Sequence, residues 1–160
     1  MKKSSLVKKT YKPHRSLTER DVQVSILKYL YKDGWGTRPH IKHTNEKGVD
    51  IVVQNDAVPQ RRFFIETKGE SSTKSKYSMH ETNFVYALGQ LMTRMKVVDA
   101  RYTYNYGLGL PERSAKIALR RIPWQLSQKL CIYIFSVDRN KNVTKHSCAD
   151  MRKAQVKTDR

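Results

Sequence analysis

The sequence predicts an α/β fold, and three features carry that expectation. Two amphipathic helical segments flank a group of short β-branched and aromatic runs. A near-continuous apolar run, Leu130 to Val137, follows further on, as expected of a strand central in a sheet. The 160 residues, 38% of them hydrophobic, suffice for one domain with a real core. In order, the elements read helix, three strands, helix, strand, helix, strand, strand.

Residues 1–15 hold five Lys, one Arg and one His without periodicity. They read as a basic flexible arm, either touching phosphates or acting as a solubilising tail. Ser16-Leu17-Thr18-Glu19 has the spacing of a capping box, with Ser16 as N-cap. A helix should follow to about Lys32, with Val22, Ile26, Leu27 and Leu30 as its apolar stripe, ended by Asp33-Gly34-Trp35-Gly36. Glu19 has two readings: a capping residue, or a carboxylate reaching the strands beyond. Thr37 to Thr44 reads as a strand whose Pro39 favours an edge position. His40 and His43 lack the even spacing that would set both on one face, which argues against a zinc pair.

Gly48 to Gly69 organises the chain. Val49-Asp50-Ile51-Val52-Val53 and Phe63-Phe64-Ile65-Glu66-Thr67-Lys68 read as two strands joined through the turn-forming Gln54 to Gln60, hence as a hairpin. Alternation points Phe64, Glu66 and Lys68 the same way, and a closed hairpin lets Asp50 face Glu66. Charges converging on apolar strands are costly unless paired or bound to metal.

Glu70 to Ser78 is polar, basic and hydroxyl-rich, a loop with donors, Lys74 and Lys76 among them, suited to phosphate oxygens. A second helix is expected from about Glu81 to Val98, its wide apolar face formed by Phe84, Leu88, Leu91 and Met95. Gly89 lowers helix propensity there by about 1 kcal/mol, which suggests close packing. Arg101 to Leu110, with Tyr102, Tyr104 and Tyr106, reads as a strand. The tyrosines, with Trp124, fit a core, a base-stacking surface or an interface. Pro111-Glu112 opens a third helix to about Ile122, bearing Arg113, Lys116, Arg120 and Arg121, and Pro123-Trp124 closes it. Cys131 opens the apolar strand as a small core residue. A turn at 138–142 leads to a short strand at Val143 to Lys145. The division expected is a domain over 16–148 and a basic tail over 149–160.

Thirty-two basic against 14 acidic residues give a formal net charge of +18. Such a chain is drawn to polyanions, and nucleic acid fits better than a membrane surface, because no basic amphipathic helix with a strong apolar face stands out. No apolar run approaches the roughly 20 residues of a spanning helix, and the Lys-rich start lacks a secretory apolar region. Two cysteines without a motif suit a reducing, cytoplasmic setting, nucleoid-associated if bacterial or phage.

Asp50 and Glu66 on adjacent strands offer hard oxygens suited to Mg²⁺, with Mn²⁺ as substitute, and Thr67 adds a main-chain carbonyl. Such a metal would offset phosphate charge and lower the pKa of bound water. Lys68 could orient that water or stabilise charge growing in the transition state. A few placed acids and a large excess of Lys and Arg match a DNA phosphodiester substrate.

Val49-Asp50, followed sixteen positions later by Glu66-Thr67-Lys68, resembles the signature of the PD-(D/E)XK nucleases. Val49 stands where the signature has Pro, a departure that removes no ligand. The element order is similar to that superfamily's restriction-endonuclease-like αβββαβ core, over roughly Ser16 to Leu110, with the remainder as a helix-strand-strand extension. The resemblance implies a mixed central sheet flanked by helices, with Asp50 and Glu66 holding Mg²⁺ and Lys68 assisting the attacking water. It maps an acid of the first helix to Glu19. It also maps the Gln of a Gln-x-x-x-Tyr motif to Gln90, with Arg94 in the Tyr place. The implied activity is metal-dependent DNA endonuclease, structure-directed on junctions or branches, or belonging to a restriction, phage or mobile-element system. A homodimer or a subunit of a larger DNA-processing complex fits it. The alternative is a non-catalytic basic DNA-binding module or accessory subunit.

Overall fold

Six strands form one mixed sheet between a single helix on one face and the remaining helices on the other. A computed structural model describes residues 16–36, 40–41, 48–70, 76–96 and 99–156, with backbone alone for 40, 41 and 76–78. The elements are α1 (Glu19–Lys32), β1 (His40–Ile41), β2 (Ile51–Gln54), β3 (Arg61–Thr67), α2 (Lys76–Thr93), β4 (Thr103–Pro111), α3 (Glu112–Arg121), α4 (Trp124–Leu130), β5 (Ile132–Val137), β6 (Val143–His146) and α5 (Cys148–Val156). The strands lie in the sheet in chain order. β1, β2 and β3 pair antiparallel, β3–β4–β5 parallel, and β5–β6 antiparallel. The expected αβββαβ order is therefore present, with its mixed sheet and flanking helices. The basic arm, His43, Lys74 and the last four residues of the tail lie outside the described residues.

Alternation along the strands divides the core in two. Ile51, Val53, Phe63, Ile65, Phe135 and Val137 pack against the Val22, Ile26, Leu27 and Leu30 stripe of α1. Phe64, Tyr106, Leu108, Leu110, Ile132 and Ile134 pack against Phe84, Ala87 and Leu91 of α2 and Ala115 and Ala118 of α3. The parallel strands are buried on both faces, as helices on both sides require.

Several boundaries differ from the sequence expectation. The cap of α1 is Thr18, whose hydroxyl accepts from the Asp21 N–H while the Asp21 carboxylate accepts from the Thr18 N–H. The capping box is thus two residues later than Ser16–Glu19, and Leu17 turns into the core. The helix α2 begins at Lys76 and ends at Thr93, so the expected span of 81–98 was shifted. Gly89 is exposed, and a Cβ there would meet nothing within 4 Å, so it does not mark close packing. Pro123 starts α4 rather than closing α3, because a fixed φ (here −54°) suits a helix entrance. Cys131 is an exposed left-handed cap at φ 52°, not a core residue, and reverses the chain into β5. Most of the expected C-terminal tail is α5, anchored by fully buried Met151. Its Gln155 amide donates to the carbonyls of Leu119 and Ile122, satisfying the otherwise open end of α3.

Candidate functional site

The expected residues meet where the parallel strand β3 ends beside the start of β2. The β2–β3 register closes at Ile51 opposite Ile65, which sets Asp50 level with Glu66. Asp50 lies just before β2 and is fixed by β3: its Oδ2 accepts the Thr67 N–H at 2.7 Å and the Thr67 hydroxyl at 2.9 Å. The same hydroxyl accepts from Gln23 Nε2 of α1 at 3.2 Å. One threonine therefore joins the helix, the hairpin and the acid.

Two glycines let the elements approach this closely. A Cβ at Gly69 would land on the backbone of Thr18 and Glu19, and one at Gly109 would collide with Ile26 and Thr67. Only bare backbone allows the first turn of α1 to lie against the end of β3 and its middle against β4.

Glu66 has no solvent exposure. Its Oε1 accepts from Arg94 at 2.6 Å, just past the end of α2. Among the described residues its Oε2 has no hydrogen-bond partner, and neither does the buried Oε1 of Gln90, one helical turn before Arg94. Burial pushes the Glu66 carboxyl up to about 7, the Arg94 hydrogen bond opposes this, and the negative charge of Asp50 adds to it. In the sequence Arg94 stands only as a departure from a motif. Its four-residue spacing from Gln90 was the available signal.

Lys68 directly follows β3, two residues after Glu66, and its positive charge acts on the Glu66 carboxyl in the lowering sense. Its N–H donates to the Gly109 carbonyl, and its ammonium lies 3.8 Å from Glu19 Oε2. Since Thr18 and Asp21 do the capping, Glu19 is free to face the site. Burial raises its carboxyl above the ordinary value, Lys68 offsets this, and Asp50 adds to it. Gln23 was missed in the sequence, although a polar residue beside Val22 and within the stripe of α1 could have marked it.

The donor set, carboxylates with an unpartnered buried oxygen, fits a hard divalent cation. Magnesium is commonly held by only one or two carboxylates, with waters and substrate phosphate completing its shell. Among the described residues no group of three or more His, Cys, Asp or Glu is placed to hold a metal, so Glu19 does not complete a three-acid cage with Asp50 and Glu66.

The cationic helix lies next to this end of the sheet. A cavity of ≈ 450 Å³ between α2 and α3 is lined by His80, Glu81, Arg113, Lys116, Arg120 and Arg121, with Ile117. Lys116 pairs with Glu112 at 2.7 Å, and Arg121 pairs with Glu81. Arg113 and Arg120 have no ion pair among the described residues. His80 is buried against Ser114 at 3.2 Å, and burial lowers its pKa. Lys76 begins α2, and its side chain lies outside the described residues. No helix among the described residues is long and apolar enough to cross a membrane.

No family model and no curated protein matches the chain. Solved structures similar to it include an XisH family protein from Nostoc punctiforme, at 16% identity and TM-score 0.37, covering 79% of this chain and 98% of that one. Another is an FdxN element excision controlling factor protein from Anabaena variabilis, at 13% identity and TM-score 0.39, covering 80% of this chain and 98% of that one.

Proposed function

We propose that the chain is a metal-dependent DNA endonuclease of the PD-(D/E)XK type. The observation that carries this reading is Glu66: a fully buried carboxylate with one unpartnered oxygen, level with Asp50, in a chain of net charge +18. A Mg²⁺ bound by Asp50, Glu66 and the Thr67 carbonyl, with Mn²⁺ able to replace it, would supply charge neutralisation and a more acidic water. Thr67 holds Asp50 in place through two hydrogen bonds. Arg94 offsets the cost of burying the Glu66 charge. Lys68, kept near by Glu19, orients the attacking water or stabilises charge on the phosphate. Arg113 and Arg120, with the flanking Lys116 and Arg121, grip the backbone of the DNA. The protein would work where DNA is, as a homodimer or within a larger DNA-processing complex.

The test is nicking of supercoiled plasmid and of branched DNA with Mg²⁺ or Mn²⁺. Wild type should cut. Asp50→Ala and Lys68→Ala should each lose about 10²-fold or more in rate, by analogy with the loss of one oriented electrostatic group, while binding DNA as before. Normal cutting by both variants would remove the assignment.

The second reading, a basic DNA-binding module without catalysis, is favoured by one contact. Arg94 already supplies Glu66 with a cation at 2.6 Å. Absence of any product from any DNA form, with either metal, would establish that reading instead.

A further inference from the structure

The face of β3 that carries Glu66 also carries Phe64 and Arg62, because side chains two apart point the same way. The parallel register sets Tyr104 beside Arg62 and Tyr106 beside Phe64. A line of rings and cations results. Phe64 lies 5.7 Å from Tyr104, and Tyr104 stacks on Tyr102 at 6.1 Å with 17° between planes. The Arg62 guanidinium sits 4.2 Å over the Tyr102 ring, and that of Arg101 sits 5.7 Å from it. Lys96 lies 5.8 Å from the Phe64 ring, and Arg94 closes the line at Glu66. Tyr106 is buried core, whereas Tyr102, Tyr104 and Arg62 are half-buried, and Arg101 and Lys96 are exposed.

At the end away from Glu66, a depression of ≈ 550 Å³ is lined by Gln54, Gln60, Arg62, Arg101 and Tyr102, with Pro59. Two observations separate it from an ordinary solvated face. The Arg62 Nε is buried without a hydrogen-bond partner, a donor lacking its acceptor. The carboxylate nearby, Asp99, is already engaged by Arg101 at 3.1 and 2.9 Å. The depression therefore combines an unused guanidinium donor, amide groups and a tyrosine–arginine stack. A ligand that answers all three carries anionic oxygens and flat aromatic faces. A single nucleic-acid strand offers both, since its bases are free to stack, whereas a duplex keeps them inside.

We propose that the depression lined by Arg62, Arg101 and Tyr102 binds a single-stranded segment of DNA, with phosphate at Arg62 and Arg101 and a base against the Tyr102 stack. This deepens the nuclease reading and rests on it. Arg62 and Glu66 lie about 13 Å apart along β3 at the usual rise per residue, with Phe64 between them buried under α2. A strand held at Arg62 passes outside that core, about one strand length from the carboxylates, and the substrate class becomes DNA with a single-stranded branch or end.

The test uses the whole chain in EDTA, with a fluorescent oligothymidylate of about 12 nucleotides and a hairpin duplex of similar length. Arg62→Gln and Tyr102→Leu should each weaken the single strand by about tenfold, as loss of one stacking or phosphate contact does, and the duplex by less than about twofold. Arg62→Gln should also lower the salt slope of single-strand binding by about 0.7. Thermal melting controls for folding, and should Tyr102→Leu not fold, Arg62→Gln carries the test. Unchanged single-strand affinity in Arg62→Gln, or equal losses for both DNA forms, overturns the proposal. The two readings fail differently. Binding through Arg62 without any cleavage under Mg²⁺ leaves the single-strand site and removes the nuclease. Cleavage with binding indifferent to Arg62 does the reverse.

Discussion

Glu66 is the residue on which the site turns, because burial and its partners pull it in opposite directions. Its carboxyl is raised from 4.5 to about 7, burial being the main cause. Between those values the folded protein keeps a proton that the unfolded chain has released. Stability from this group is therefore fully present below the unfolded value and is lost as pH rises through the folded one, by about 3 kcal/mol in all. In urea denaturation, wild type should lose that stability between about pH 4.5 and pH 7, and Glu66→Gln should lose much less over the same window. An identical pH dependence in the variant would contradict the account of Glu66. At this scale the sequence was informative where chemistry is local. Asp50, Glu66 and Lys68 stand out as charges interrupting apolar strands. Arg94 and Gln23 do not, since their partners lie 28 and 44 residues away and no periodicity links them. Glu19 reads from the sequence partly as a cap, a duty that Thr18 and Asp21 perform.

Among the elements, α1 and β3 are joined by an approach that only glycine permits. Gly69→Ala should force the first turn of α1 off the end of β3 and cost about 1–3 kcal/mol, as overpacking does. Gly89→Ala, on the exposed side of α2 with open space around it, should raise stability by about 1 kcal/mol. Chemical denaturation of the two variants checks both, and a destabilising Gly89→Ala or a neutral Gly69→Ala would refute this packing. Helices with a full apolar stripe were legible in the sequence. The short ones were not: Pro123 reads as a stop as readily as a start, and α5 offers little beyond Met151 and Gln155 to betray its docking. Helix ends were less legible than helices, as α2 shows, because turns are shared between local signals and tertiary contacts.

For the whole molecule, sheet topology brings chemistry and charge together. The site lies at the carboxyl end of the parallel strand β3, where open α/β sheets leave a crevice, and α3 starts from the same end of β4. The αβββαβ order could be read from alternating patterns. The chain-order sheet, with its parallel β3–β4–β5 centre, could not, because strand neighbours depend on where helices cross over. An excess of positive charge predicts strongly salt-dependent DNA binding. If about 6–10 phosphates are contacted, affinity should fall by roughly 10³–10⁵ between about 50 and 200 mM salt. A salt-independent affinity would argue that charge is not what holds the DNA. The central claim, that Asp50 and Glu66 form a divalent-metal site, is met most directly by calorimetric titration of the DNA-bound protein with Mn²⁺. One saturable site in wild type, lost in a folded Asp50→Asn variant that still binds DNA, is the expected result. No saturable site in wild type, or an unchanged one in Asp50→Asn, would contradict it.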